Sequence, residues 1–126
     1  MADAISIGLP QAAQPFSWAT RAGGLMFTTH GPVDGGGAIV GGDIREQTRL
    51  TLSNLAMAVQ RAEASMADVA QVLVYLSDAG DIGVFDEEYR SFFEAPYPNR
   101  ACVAVKGFVH PAMRVELVAY VALTKA

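Results

Sequence analysis

Apolar positions in this chain repeat with two periods, one near two and one between three and four, and the succession of these blocks predicts its elements. From Pro15 to Thr29 (PFSWATRAGGLMFTT) two β-prone runs flank Gly23-Gly24. That pair supplies the positive φ of a tight hairpin, so two antiparallel strands are predicted. His30 to Gly42 (HGPVDGGGAIVGG) holds six glycines and a proline, a composition that excludes helix and predicts a mobile surface loop of the kind that often carries function. Asp43, with Glu46 three residues on, then forms a capping box. Behind it Thr48, Leu52, Leu55, Val59 and Ala62 make one apolar stripe, while Arg45, Arg49, Gln60 and Arg61 lie off it. A helix that covers a sheet is predicted.

After the polar link Ala64 to Asp68, the run Val69 to Leu76 (VAQVLVYL) is dense in β-branched residues and bounded by Ser77-Asp78. It predicts a central strand buried on both faces. Ile82, Phe85, Tyr89 and Phe92 mark a second amphipathic helix, ended by Pro96 and Pro98 and packed beside the first. Ala101 to Lys106 (ACVAVK) and Val115 to Leu123 (VELVAYVAL) predict two last strands, joined through a turn at His110-Pro111. The order is strand, strand, helix, strand, helix, strand, strand. With no internal repeat and no linker, residues 1–126 are expected to form a single α/β domain of the α+β kind.

Composition narrows the function classes. With 52% hydrophobic and 17% charged residues, the chain can form one core, disorder is excluded, and a buried subunit interface is suggested. The net charge is −4 and the nine Lys and Arg are scattered, so nothing concentrates a positive field on a phosphate backbone, and no nucleic-acid partner is expected. A single cysteine, Cys102, cannot form an internal disulfide or a thiolate-rich metal site, which fits a reducing compartment. Met1 to Pro10 lacks a basic n-region, and no stretch of about 18 consecutive apolar residues occurs. A soluble, cytoplasmic protein with no membrane partner is the expectation.

Several segments together, in order and spacing, resemble the YjgF/RidA family of reactive intermediate deaminases, formerly endoribonuclease L-PSP. They are PF with GGLMFTT, GPVD, GGDIREQTRLTLSNLAMAV, DVAQVLVYLSD, VFDEEYRSFF, NRACVAV and RVELVAYVAL, from about Pro15 to Leu123. The resemblance implies a chorismate-mutase-like fold with two helices on one face of a β-β-α-β-α-β-β sheet. It also implies a homotrimeric barrel, helices outside, with ligand clefts between subunits. Members of the best-known branch hydrolyse reactive enamines and imines to 2-keto acids and ammonia without metal or cofactor.

In the family an arginine in a P-x-R-x-C-V context clasps the substrate carboxylate, and here that context is Pro98-Asn99-Arg100-Ala101-Cys102-Val103. The chemistry suits it, since a planar guanidinium binds a carboxylate through two parallel charge-assisted hydrogen bonds. The competing reading is an exposed arginine at a strand start. Cys102 lies two residues on, on the same strand face. The resemblance gives its carbonyl, not its thiol, the contact to the substrate nitrogen.

The resemblance also has departures. Where the deaminases carry V-E-x-E-A, whose second glutamate orients the attacking water, this chain reads Val115-Glu116-Leu117-Val118-Ala119. Valine at 118 offers no lone pair to water, so the usual general base is absent. Two candidates remain for the catalytic role. Glu116, about 6.6 to 6.8 Å along the same strand face, can reach through a bridging water, and His30 titrates near neutral pH in the loop that lines the family's cleft. His110 lies in a second loop; for both histidines the competing reading is a hydrogen bond to backbone. The pocket-closing aromatic is Phe16 rather than tyrosine, Thr29 matches the serine of the S-G-Q turn, and Asp86 replaces an asparagine of the second helix. Phe16, Thr29, Asp86, Arg100 and Cys102 are thus the candidate substrate-binding residues.

Two functions are compatible with this pattern. One is a cofactor-free hydrolase acting on a carboxylate-bearing imine or enamine; the other is a non-catalytic trimeric protein that binds or senses carboxylate metabolites such as 2-keto acids. A ribonuclease activity is disfavoured, because neither a basic patch nor an acid-base pair of histidines is evident.

Overall fold

The computed structural model describes residues 2–123. The hairpin closes at Gly23 (φ 59°), where Ala22 pairs with Leu25, and its strands β2 (Ala19–Ala22) and β3 (Leu25–His30) are joined at the outer edge by a short β1 (Asp3–Ala4). β4 (Val69–Leu76), β5 (Asn99–Ala104) and β6 (Val115–Ala122) complete a six-stranded sheet in the order β1-β2-β3-β6-β4-β5. Every neighbouring pair is antiparallel except β4–β5. The last of the described strands, β6, therefore lies inside the sheet, between β3 and β4.

Helix α1 (Ile44–Arg61) begins where the capping box predicts: the Asp43 side chain accepts from Glu46 N at 2.8 Å, and Glu46 accepts from Asp43 N. It ends in a paired closure, Ala64 N to Val59 O and Glu63 N to Gln60 O, with Glu63 at φ 60°. Its stripe of Thr48, Leu52, Leu55 and Val59 is buried against the sheet, with Ala62 half-buried at the end. Helix α2 (Ile82–Tyr89) packs beside α1, and Arg45 and Arg49 of α1 both bond to Glu88 of α2.

The predicted elements thus form, with β5 shifted to Asn99–Ala104 from the expected Ala101–Lys106 and with further differences. The short β1 was not expected, because two residues carry no periodicity. Helix α2 stops at Tyr89, and Arg90, Ser91 and Phe92 continue as turns. And β4 is not buried on both faces: Val72, Val74 and Leu76 are buried under the helices, while Gln71, Leu73 and Tyr75 on the other face are half-exposed. Among the described residues no element covers that face, where Leu25, Phe27 and Val103 are also exposed.

Gln47, fully buried on α1, fixes the loop before β6. Its amide donates to Gly42 O and Ala112 O, and its Oε1 accepts from Arg114 N. Arg114 in turn pairs with Asp81 at the start of α2.

Candidate functional site

Register decides where the P-N-R-A-C-V segment points. β5 pairs in parallel with β4, setting Arg100 beside Val72 and Cys102 beside Val74. Since Val72 and Val74 face the helices, Arg100 and Cys102 do too, and both look at α2. Opposite them, helical spacing brings Phe85 and Tyr89 to one side of α2, with Asp86 on the adjoining flank. The Arg100 guanidinium carbon lies 4.8 Å from the centre of the Tyr89 ring and 5.8 Å from that of Phe85. Its Nη1 donates to Asp86 Oδ1 at 2.7 Å.

These groups border a cavity of about 230 Å³ lined by Asp86, Tyr89, Arg90, Tyr97, Pro98 and Arg100. Among the described residues, Nε and Nη2 of Arg100 and Oδ2 of Asp86 have no hydrogen-bond partner. The arginine and the aspartate are only about a quarter exposed, at 25% and 29% of their side-chain surfaces. Burial pushes the Tyr89 hydroxyl up to about 12; Arg100 opposes that shift and Asp86 adds to it. Tyr89 therefore stays a neutral phenol, and its oxygen is buried without a partner. Burial likewise raises the Cys102 thiol, with Arg100 opposing and Asp86 adding to the shift, which favours the protonated form over the nucleophilic thiolate.

The remaining sequence candidates lie elsewhere. Thr29 and Glu116 are on the opposite face of the sheet: Thr29 pairs with Val118 across β3 and β6, and Glu116 pairs with Tyr75. Thr29 is a strand residue, not part of a turn. Glu116 is half-buried, and desolvation pushes its carboxyl above the usual carboxylate range. Phe16 is 40% exposed and stands edge-on to Trp18 at 4.9 Å, outside the cavity lining.

His30 is not in a loop. It closes β3 and is 1% exposed among core residues. Thr28 Oγ1 donates to Trp18 O, so its oxygen accepts from His30 Nε2 at 2.7 Å, which leaves Nδ1 as an unprotonated, unpartnered nitrogen. Burial lowers this histidine to about 3. A neutral imidazole sealed from solvent does not handle water, and the polar, glycine-rich sequence after it hid the alternation Met26, Thr28, His30 that turns it inward. His110 is exposed, and its Nδ1 accepts from Ala112 N.

Sequence reasoning missed Tyr89, Arg90, Tyr97 and Pro98 as cavity walls. A signal existed in the spacing of Tyr89 and Arg90 three and four residues after Asp86, which shares one helix flank. A second cavity of about 460 Å³ adjoins the first beyond Arg90 and Pro98, with Met66, Phe92 and Phe93 among its walls. Among the described residues no group of three or more His, Cys, Asp or Glu side chains could hold a metal ion, and no helix is long and apolar enough to cross a membrane.

The sequence profile of the Endoribonuclease L-PSP family matches residues 7–123. The chain belongs to this family, YjgF/RidA. A RutC family protein of Pyrococcus horikoshii is 35% identical over 114 residues, 88% of this chain and 90% of that protein. The mitochondrial protein mmf2 of Schizosaccharomyces pombe is 36% identical over 90 residues, 71% of each chain. TdcF of Escherichia coli, whose name assigns it provisionally to the reactive intermediate deaminases, is 32% identical over 100 residues, 76% of this chain and 78% of that one. Its crystal structure with bound serine superposes with a TM-score of 0.86 at 29% identity, covering 97% of this chain and 99% of that one. The family relationship and this superposition establish the chorismate-mutase-like fold.

Proposed function

We propose that this family member is a cofactor-free hydrolytic deaminase of reactive enamines and imines of the 2-aminoacrylate kind, releasing a 2-keto acid and ammonia as a homotrimer. The observation that carries this reading is Arg100: a cation held on an aromatic ring at the wall of a small cavity, with N–H groups left unpaired. Such a fork takes a carboxylate in one orientation. TdcF, a relative crystallised with serine, adds support for a small carboxylate-bearing ligand.

The chemistry asks little of the protein. 2-Aminoacrylate becomes an iminium acid when its methylene carbon gains a proton, and that species reacts as R–C(=NH2+)–COO− + H2O → R–CO–COO− + NH4+. Both protons of the water end on nitrogen, so the protein needs to orient the electrophile and hold one water. His30, buried and neutral, is set aside for that role. Glu116 remains, because its raised pKa brings it toward the range of a useful acid and base.

Arg100 and Glu116 look out from opposite faces of one sheet, so a single chain does not bring both to one ligand. A second copy laid on the open face is what would, and the exposed Leu25, Phe27 and Val103 there favour such a contact. The test is to mix the protein with freshly generated 2-aminoacrylate and follow pyruvate. Release faster than in buffer, lost in Arg100→Ala, is the expected result.

A second reading, a non-catalytic binding or sensing protein for carboxylate metabolites, is favoured by one feature: valine stands at 118, where the family keeps its water-orienting glutamate. Buffer-like pyruvate release together with calorimetric binding of 2-ketobutyrate would replace the first reading by this one.

A further inference from the structure

The geometry points to Asp86 as the residue that makes this site select ligands bearing both a carboxylate and an adjacent cationic nitrogen, iminium acids and amino-acid zwitterions, over 2-keto acids. The inference rests on the reading of Arg100 as the carboxylate clasp and names what that clasp accepts.

The Arg100 guanidinium and the Asp86 carboxylate meet through one bond, Nη1 to Oδ1 at 2.7 Å, and both groups line the same cavity. Each keeps unused capacity, Nε and Nη2 on the cation and Oδ2 on the anion. Their partial burial makes unmatched charge costly. Arg90, the other charged residue in the lining, is exposed, and its field is screened by water.

A ligand with a carboxylate alone draws Arg100 toward itself and sets its own negative charge beside Asp86. One with a carboxylate and a cationic nitrogen on the neighbouring carbon matches both halves of the pair: the carboxylate takes the free edge of the guanidinium, and the nitrogen donates to Oδ2. An uncharged amide here, as with asparagine, could accept a hydrogen bond from the nitrogen but would not discriminate by charge. The same logic separates reactant from product. The iminium acid carries the cation, whereas the keto acid formed from it has exchanged that nitrogen for an oxygen, so Asp86 holds the first and releases the second.

L-Alanine and pyruvate differ by this exchange at one carbon, which makes them the probes. In calorimetric titrations at pH 7.5 the unaltered protein is expected to bind alanine at least about tenfold more tightly than pyruvate, the size of one charge-assisted hydrogen bond. In Asp86→Asn, alanine should weaken by about tenfold while pyruvate holds or tightens, erasing the preference. Asp86→Ala should shift the ratio the same way, and Arg100→Ala should lose both ligands. A merely structural role for Asp86 would weaken the two ligands together. Equal or tighter binding of pyruvate by the unaltered protein, or a ratio unchanged within about threefold in both Asp86 variants, overturns the inference and leaves the clasp standing. Absence of binding by either ligand overturns the clasp and the inference together.

Discussion

Arg100 rests face-on against Tyr89, 4.8 Å from the ring centre, while the hydroxyl of that same tyrosine is buried with no partner. Ring and hydroxyl thus have separable effects. Tyr89→Phe keeps the π-face under the guanidinium and removes an unsatisfied oxygen, so carboxylate affinity should stay within about threefold and stability should hold or rise. Tyr89→Leu removes the ring and should weaken carboxylate binding by about three- to tenfold. Calorimetry and thermal unfolding on the two variants check both statements, and equal loss in Phe and Leu would assign the effect to the hydroxyl instead.

Replacement of Val118 by glutamate restores the side chain that the family places there. If Arg100 already holds the substrate carboxylate, Val118→Glu should speed pyruvate release from 2-aminoacrylate by about a hundredfold or more. Affinity for keto acids should change little. No acceleration would mean that the limiting group lies elsewhere.

Gln47 satisfies Gly42 O, Ala112 O and Arg114 N from a fully buried position. Gln47→Leu keeps most of the volume but strands these backbone groups. A loss of about 3 kcal/mol in urea unfolding is expected; a loss below about 1 kcal/mol would show that water replaces the amide.

His30 makes stability depend on pH. Unfolded, the imidazole titrates near its ordinary 6.5; folded, burial lowers it to about 3. The stability contributed by the neutral form is complete above about pH 6.5. Between these values the unfolded chain binds a proton that the folded chain does not, so stability falls as pH drops, by up to about 1.4 kcal/mol per unit. His30→Gln keeps a donor for Thr28 and abolishes this slope. Urea titrations at pH 4, 5 and 6 should show the unaltered protein losing stability more steeply than the variant; parallel curves would refute the assignment.

Glu63 holds φ 60° at the end of α1, in the left-handed region that favours glycine, and its side chain is exposed. Glu63→Gly should stabilise the fold by about 1 kcal/mol, seen as a rise in the urea midpoint. Unchanged or lowered stability would show that unfolded-chain entropy outweighs the relief.

What the sequence announced was whatever rests on local chemistry. Asp43 with Glu46 marked the start of α1, Gly23-Gly24 the hairpin, and the alternation from Val115 the last strand. What it concealed depends on partners distant in sequence. The direction of His30 follows from β3 pairing with β6, whose residues lie almost ninety positions away. The second face of β4 reads as apolar, yet among the described residues no element covers it. Arg100 and Asp86 could each be named singly from the family pattern, but their bond depends on the parallel register of β4 and β5, which no local motif encodes. Tyr89 read as core, and it is core; that its ring also carries a cation required the crossing of α2 over β5.

The position of β6 between β3 and β4 has a consequence for biosynthesis. Until the ribosome has released Val115–Ala122, the hairpin and the β4–β5 unit have no seam to join them, and α1 has only part of its floor. The emerging chain therefore carries exposed strand edges on β3 and β4 until β6 arrives, a window in which holdase chaperones protect such edges. A nonsense mutation ahead of this segment would leave the hairpin and the β4–β5 unit without the strand that pairs with both.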